Sequence, residues 1–433
     1  MTELVRCARA LVGGQERTDF AFTVSDGRIA ETGSWEKLRK TVRDPALRVF
    51  GSDVIVAPGF INGHSHAYQI LLRGWGDDLP FARWRSDALY ATVPGLTPDD
   101  IYWTFAAAFS HMLAGGITSV AEFFYLNGAG NAHAEAAIRA AGDIGIRLVL
   151  ARTWMDAPDA PAAFREDTDT AAARTRDLMR AHPGMGVCVA PHSLHAASPA
   201  MIGAAAEFAR EHDCDVHIHV AEAEYEGAQT RTRHAATPIE VLDRLGALNE
   251  RLVAIHAIYV SDAEKDLMAE RRVRVVHNPM TNLYLGDGIC DTVGLRERGI
   301  AVGLGTDAGV NASLIEEMRA ASLLQKVARR DGSALGAPAA WKMGTSEGAA
   351  ALGLAAGALA QGSFADYCVL DARPIDPWSP ALNAIVYRGE NSWVRETYVA
   401  GRRVWDGAGS VLVEQALQKL RAISHRLRLG GTH

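Results

Sequence analysis

VIVAPGFINGHSHAYQ, residues 54–69, decides how the remainder of the chain is read. Its apolar run breaks at Pro58-Gly59 and then delivers His64-Ser65-His66. If Phe60, Asn62, His64 and His66 continue a strand, the period-two geometry of a pleated backbone aims both imidazoles to one side. Two neutral histidines held that way form half of a metal site. An H-x-H pair arises by chance often enough to mean little alone. Its place at the end of an apolar strand, with further His and Asp residues at the ends of later strands, gives it weight.

Downstream, apolar β-like segments alternate with amphipathic helical ones. Strand-like runs at 117–124, 146–151, 185–190, 215–220, 252–256, 273–277 and 300–305 are followed by helical spacing at 132–143, 170–180, 198–211, 238–245, 262–270, 291–298 and 314–329. Counting the strand before His64, there are eight strand–helix units. Continuously apolar strands indicate a parallel sheet covered on both faces, and eight such units predict a (β/α)8 TIM-type barrel. An open doubly wound sheet is the alternative, disfavoured because no G-x-G-x-x-G follows the first strand.

The two chain ends differ in texture. FAFTVSDGRIAETG reads as a hairpin around Asp26-Gly27, and FADYCVLD and VRETYVAGRRVW repeat that β-rich pattern near the C-terminus. We expect one small β-sandwich domain built from both ends, with residues 1–55 and 356–408 flanking a barrel of 56–355 and a helix over 409–433. The segment 71–96, with Gly74, Gly76 and Pro80, is long for a barrel loop and reads as a lid or a dimer contact.

A net charge of −7 without any Lys/Arg block argues against a nucleic-acid surface and leaves a small molecule as the partner. The apolar run 349–360 is too short to span a bilayer, and MTELVRCARALVGG lacks the apolar core of a signal peptide. Five scattered cysteines without C-x-x-C spacing suit reduced thiols, so a cytoplasmic location is expected.

Barrel chemistry sits at the C-terminal strand ends. There the sequence places His64, His66, Glu122, His192, His219, Glu222, His256, His277 and Asp307, more polar groups than a purely structural barrel requires. Three histidines and a carboxylate satisfy a zinc-like ion and leave a position for water, and His64, His66, His219 and Asp307 are assigned to it. His217, on the same strand face as His219, is a rival one layer deeper. No lysine lies between Lys40 and Lys265, so no lysine from the first five strands can bridge two ions, and one divalent ion is expected. Zinc is the default, and Fe2+ or Mn2+ suits the same donors. Asp307 can take a proton from the bound water, His256 stabilises the hydroxide, and Glu222 passes the proton to a substrate nitrogen.

PGFINGHSH, HIHVAE at 217–222, AIHA around His256, HNPMTNLYLGDG at 277–288 and GLGTDAG at 303–309 resemble the amidohydrolase superfamily, specifically its mononuclear deaminase branch. That branch includes guanine, cytosine and 8-oxoguanine deaminases and formimidoylglutamate deiminase. The resemblance implies attack on an amino-substituted C=N carbon with loss of ammonia, a homodimer, and metal and proton-handling roles at the residues already assigned. HSHAYQ, WRSDALY, SVAEFFYL and APHSL are similar to the formimidoylglutamate pattern, which implies substrate contacts from Gln69, Arg85, Tyr125 and His192. Where that pattern has an arginine, this chain has His195, which weakens a glutamate-like substrate. His277 joins the substrate-contact set, and Trp75, Trp84, Tyr90, Phe123, Phe124 and Tyr125 are candidates to wall a flat ring. The expected activity is deamination of an aminated purine- or pterin-type heterocycle. A formimidoyl-L-glutamate-like iminohydrolase and a triazine-type hydrolase with another leaving group are the alternatives.

Overall fold

The computed structural model describes residues 2–430 apart from 76, 159 and 310; Gly76 of the expected lid therefore lies outside the described residues. Eight parallel strands, Phe60–Ser65, Ile117–Phe124, Arg147–Trp154, Gly186–Pro191, Val216–Val220, Leu252–His256, Arg274–His277 and Val302–Leu304, pair in chain order. They are numbered here as the first to eighth barrel strands. Nearly every residue in them is buried, as expected for a sheet with side chains packed on both faces. Helices enter on regular signals: Thr97, Ser198 and Thr237 each cap a helix whose first residue is proline.

The barrel closes at its C-terminal rim. His66 N–H donates to Asp307 O at 2.9 Å, and Asp307 N–H donates to His64 O at 3.0 Å. Below them Asn62 clasps Thr306, accepting its N–H at 3.0 Å and donating to its hydroxyl at 2.8 Å. Gly305 makes the approach possible, since a Cβ there would lie 2.4 Å from Asn278 Oδ1 and 2.7 Å from His64 O. The backbone bonds that close the barrel thus belong to residues 64, 66 and 307, so closure itself sets the spacing of three candidate ligands.

The chain ends build a second, eight-stranded mixed sheet. Val54–Pro58 pairs antiparallel with Tyr367–Asp371, joining the N-terminal strands to the C-terminal ones. The apolar run that opens the sequence reading is therefore two strands, Val54–Pro58 in the small sheet and Phe60–Ser65 in the barrel. They are split at Gly59, where a Cβ would fall 2.2 Å from Thr118 Oγ1. Asp26-Gly27 turns a hairpin between Gln15–Ser25 and Arg28–Ser34, and Ala400-Gly401 turns another, all four residues at positive φ.

Barrel and small sheet are tied by Arg147, whose guanidinium donates to both oxygens of the buried Asp366 at 2.8 and 3.0 Å. The same carboxylate accepts Ala400 N–H at 2.7 Å. Asp366→Ala should leave a cation and an amide without their acceptor, costing about 3 kcal/mol and lowering the melting temperature by a few degrees. A thermal scan of the metal-loaded variant that overlays the parent would remove this tie as a stabilising contact.

The segment expected to be a lid is largely helical: Ala67–Leu72, Phe81–Trp84, Arg85–Leu89 and Tyr90–Thr92 follow one another, the third a π turn. The terminal helix Val411–Gly430 braces its beginning, with Arg428 donating to Arg73 O at 2.8 Å. Among the described residues, no helix is long and apolar enough to cross a membrane.

Candidate active site

At the rim, four donor atoms converge. His219 Nε2 lies 3.2 Å from His64 Nε2 and 3.3 Å from His66 Nε2, while Asp307 Oδ1 lies 3.2 Å from His64 Nε2 and 3.5 Å from His66 Nε2. Donors at about 2.0 Å from one ion in a regular tetrahedron stand roughly 3.3 Å apart, so these edges have the size of a coordination shell.

The outer ring nitrogens show that the contacts are not hydrogen bonds. His66 Nδ1 faces Phe123 O at 3.0 Å, and His219 Nδ1 faces His192 O at 3.0 Å. A carbonyl only accepts, so both Nδ1 atoms carry the proton. Burial holds the rings neutral, pulling His66 down to about 3 and His219 well below the usual imidazole range. Their Nε2 atoms are therefore bare lone pairs, and lone pairs this close require a cation between them. His64, which burial likewise holds neutral, brings its Nε2 to the same point. His217, buried beneath, is not part of the converging group, as expected for the deeper layer.

His256 has the opposite tautomer. Its Nδ1 accepts from Asn282 Nδ2 at 3.0 Å, and that amide is oriented by Asp287 Oδ2 at 3.1 Å. The proton is left on Nε2, which points between Glu222 Oε1 at 3.4 Å and Asp307 Oδ2 at 3.6 Å. Burial first, then the charges of Asp307, Asp287 and Glu226, raises the Glu222 carboxyl well above its ordinary range. Ala221, His256 and Asp307 all sit at positive φ, 53°, 74° and 52°, a costly conformation for residues with a side chain. The strain lies at three strand ends around one point.

That point opens into a chamber of about 90 Å³, whose wall includes Gln69, Arg85, Tyr125, His192, His195 and Glu222. Gln69 donates to Tyr125 Oη at 2.9 Å, fixing both. Two of the strand-end polar residues lie off the chamber wall. His277 is fully buried, is not among the lining residues, and has no hydrogen-bond partner on either ring nitrogen. Glu122 accepts Ala67 N–H at 2.9 and 3.2 Å, capping the turn that follows His66. Of the proposed aromatic wall, Trp84, Tyr90 and Tyr125 line the chamber. Phe123 packs on the ligand rings, 4.4 Å from His219, and Phe124 joins Phe105 in the core. Trp75 is not among the lining residues, whereas Phe164, Asn282 and Asp287 carry parts of the site that no sequence motif assigned. The acidic residue in LGDG was the available signal for Asp287.

Comparison with known proteins agrees with this geometry. The model of the amidohydrolase family matches residues 55–404. A 5'-deoxyadenosine deaminase of Methanothermobacter thermautotrophicus is 32% identical over 408 residues, covering 92% of each chain. A 5-methylthioadenosine/S-adenosylhomocysteine deaminase of Halothermothrix orenii is 29% identical over 412 residues, covering 93% of each. The crystal structure of an adenosine deaminase from Xanthomonas campestris with bound zinc superposes with a TM-score of 0.90 at 27% identity, covering 98% of each chain.

Proposed function

The chain belongs to the amidohydrolase family, as a hydrolase acting on C–N bonds, and on that premise we propose that it deaminates an adenine nucleoside altered at the 5' position. The observation that carries this reading is the convergence of His64, His66 and His219 Nε2 with Asp307, beside a protonated His256 Nε2 and Glu222. The relatives named for 5'-deoxyadenosine and methylthioadenosine support the purine, and the aromatic wall of Trp84, Tyr90, Tyr125 and Phe164 suits a flat ring.

His64, His66, His219 and Asp307 are proposed to hold one divalent ion, with zinc the first choice for imidazole donors. Bound there, the ion supplies the positive charge that makes a water molecule nucleophilic near neutral pH. Asp307 Oδ2 takes the proton from the attacking water, and His256 Nε2–H donates to the oxygen as negative charge develops on it. Glu222 gives its proton to the ring nitrogen beside the attacked carbon, takes up the hydroxyl proton of the adduct as the C=O forms and passes it to the departing amine, and recovers its own proton from Asp307. Overall, water adds its oxygen to the carbon and the amino group leaves as ammonia. Asn282 keeps His256 a donor by occupying its Nδ1.

The deciding test is ammonia release by metal-loaded protein from 5'-deoxyadenosine, methylthioadenosine and S-adenosylhomocysteine, set against formimidoyl amino acids and chlorotriazines. Turnover of the purines, seen also as loss of adenine absorbance, is expected. Arg85 and His195 on the chamber wall are the features that would favour a formimidoyl acid. Ammonia from that class alone, or halide from a triazine without purine turnover, would overturn the purine reading.

A further inference from the structure

Beyond the chamber lies an outer cleft of about 790 Å³, and Arg85, Tyr90, His195, Ala196 and Tyr225 line both, forming the neck between them. The two compartments differ in charge. The chamber contains Glu222, Asp287 and Asp307, whereas Arg233 lines the cleft and Arg85 lines the neck. The carboxylate on the cleft wall, Asp156, is already engaged: Ser198 N–H donates to one oxygen at 2.7 Å and the Ser198 hydroxyl to the other at 2.6 Å. Arg233 stands exposed in the last turn of the helix Glu224–His234 and makes no ion pair among the described residues. A lone exposed arginine is ordinarily a solvated surface group. This one shares a cavity wall with Arg85, and after burial the charges of both arginines are what hold His195 neutral, at about 4.

We propose that the outer cleft receives an anionic group at the end of the substrate's tail, a carboxylate or a phosphate, with Arg233 as a specificity-determining residue and Arg85 lining its approach. This rests on the purine reading above: the ring occupies the acidic chamber, and the 5' substituent passes the neck into the basic cleft. A guanidinium meets either anion with two parallel N–H donors, and the cleft's size admits a tail of several atoms.

Three substrates test it: 5'-deoxyadenosine, which is neutral, S-adenosylhomocysteine, which ends in a carboxylate, and adenosine 5'-monophosphate. The readout is kcat/KM for the carboxylate-bearing and the phosphate-bearing substrate, each divided by that for 5'-deoxyadenosine. In Arg233→Glu this ratio should fall about tenfold, through KM, and Arg233→Lys should recover part of it. Raising salt should lower the ratio for the parent protein and leave the Glu variant's ratio nearly flat. A fall confined to S-adenosylhomocysteine assigns a carboxylate, and one confined to the monophosphate assigns a phosphate. If purines are turned over with the same ratio in parent and Arg233→Glu protein, the anion subsite is wrong and the purine reading stands. If no purine releases ammonia, the purine reading fails and the subsite falls with it.

Discussion

Replacing Glu222 by Gln in the metal-loaded protein should lower kcat by roughly 10³-fold while leaving metal content unchanged, since general acid–base groups supply about 10²–10⁴ in rate. Glu222 stands outside the ligand cluster, 3.4 Å from His256 Nε2, so the ion does not depend on it. Burial and three neighbouring carboxylates push its carboxyl upward, so it holds a proton more readily than a surface glutamate. Gln keeps the volume and a hydrogen-bonding end but has no proton to release. The side chain is aimed by local structure. Ala221 at φ 53° turns the chain back toward the chamber, and the buried Glu226 accepts Ala223 N–H at 3.0 Å and Glu222 N–H at 3.2 Å. Stoichiometric metal with kcat within tenfold of the parent would show that the transferred proton travels by another group. Loss of the metal would show that Glu222 belongs to the ligand set instead.

The contrast between legible and illegible parts of this site follows from range. The barrel could be read because a strand buried on both faces must be apolar along its length, and all but the third such run end in a polar residue that burial alone does not explain. His64, His66, His219 and Asp307 were visible for that reason. Position at a strand end does not say which way a side chain turns: His277 is fully buried and off the chamber wall, and Glu122 accepts the N–H of the turn that follows His66. Asn282 was illegible because its work is a hydrogen bond to His256 at the end of the sixth barrel strand, set by how the short helix Pro279–Leu285 lies across the rim. Phe164 comes from a 3-10 turn in the loop after the third strand and belongs to no motif. The lid was expected from its length and glycines, but its helical turns place Trp84, Arg85 and Tyr90 on the wall in a way that local sequence does not encode.

Stripping the metal should abolish turnover and lower the melting temperature together, and a single divalent ion should restore both. Without a cation, His66 and His219 bring neutral nitrogen lone pairs to within 3.3 Å, with His64 Nε2 3.2 Å from His219 Nε2. Protonation cannot relieve them near pH 7, because burial has pulled His66 to about 3 and the Nδ1 atoms of His66 and His219 already carry the only proton each ring retains. Rotation cannot relieve them either, since it would sacrifice the bonds to Phe123 O and His192 O, and Asp307 is fixed by the backbone bonds that close the barrel. An ion present at about 1,000 times its Kd stabilises the native state by about 4 kcal/mol. With an unfolding entropy near 2.1 cal/mol/K per residue, a chain of 433 residues should then lose on the order of 5 °C when the ion is removed. Because the two closing bonds and the ligands share residues 64, 66 and 307, the loss should appear as faster amide exchange at the junction of the first and eighth barrel strands before the distant small sheet is affected. Comparing Zn2+, Fe2+ and Mn2+ for recovery of kcat then identifies the working ion, while recovery of melting temperature reports binding alone. Full activity and an unmoved melting temperature after exhaustive chelation would leave the approach of the four donors without a cause and would remove the metal from the mechanism.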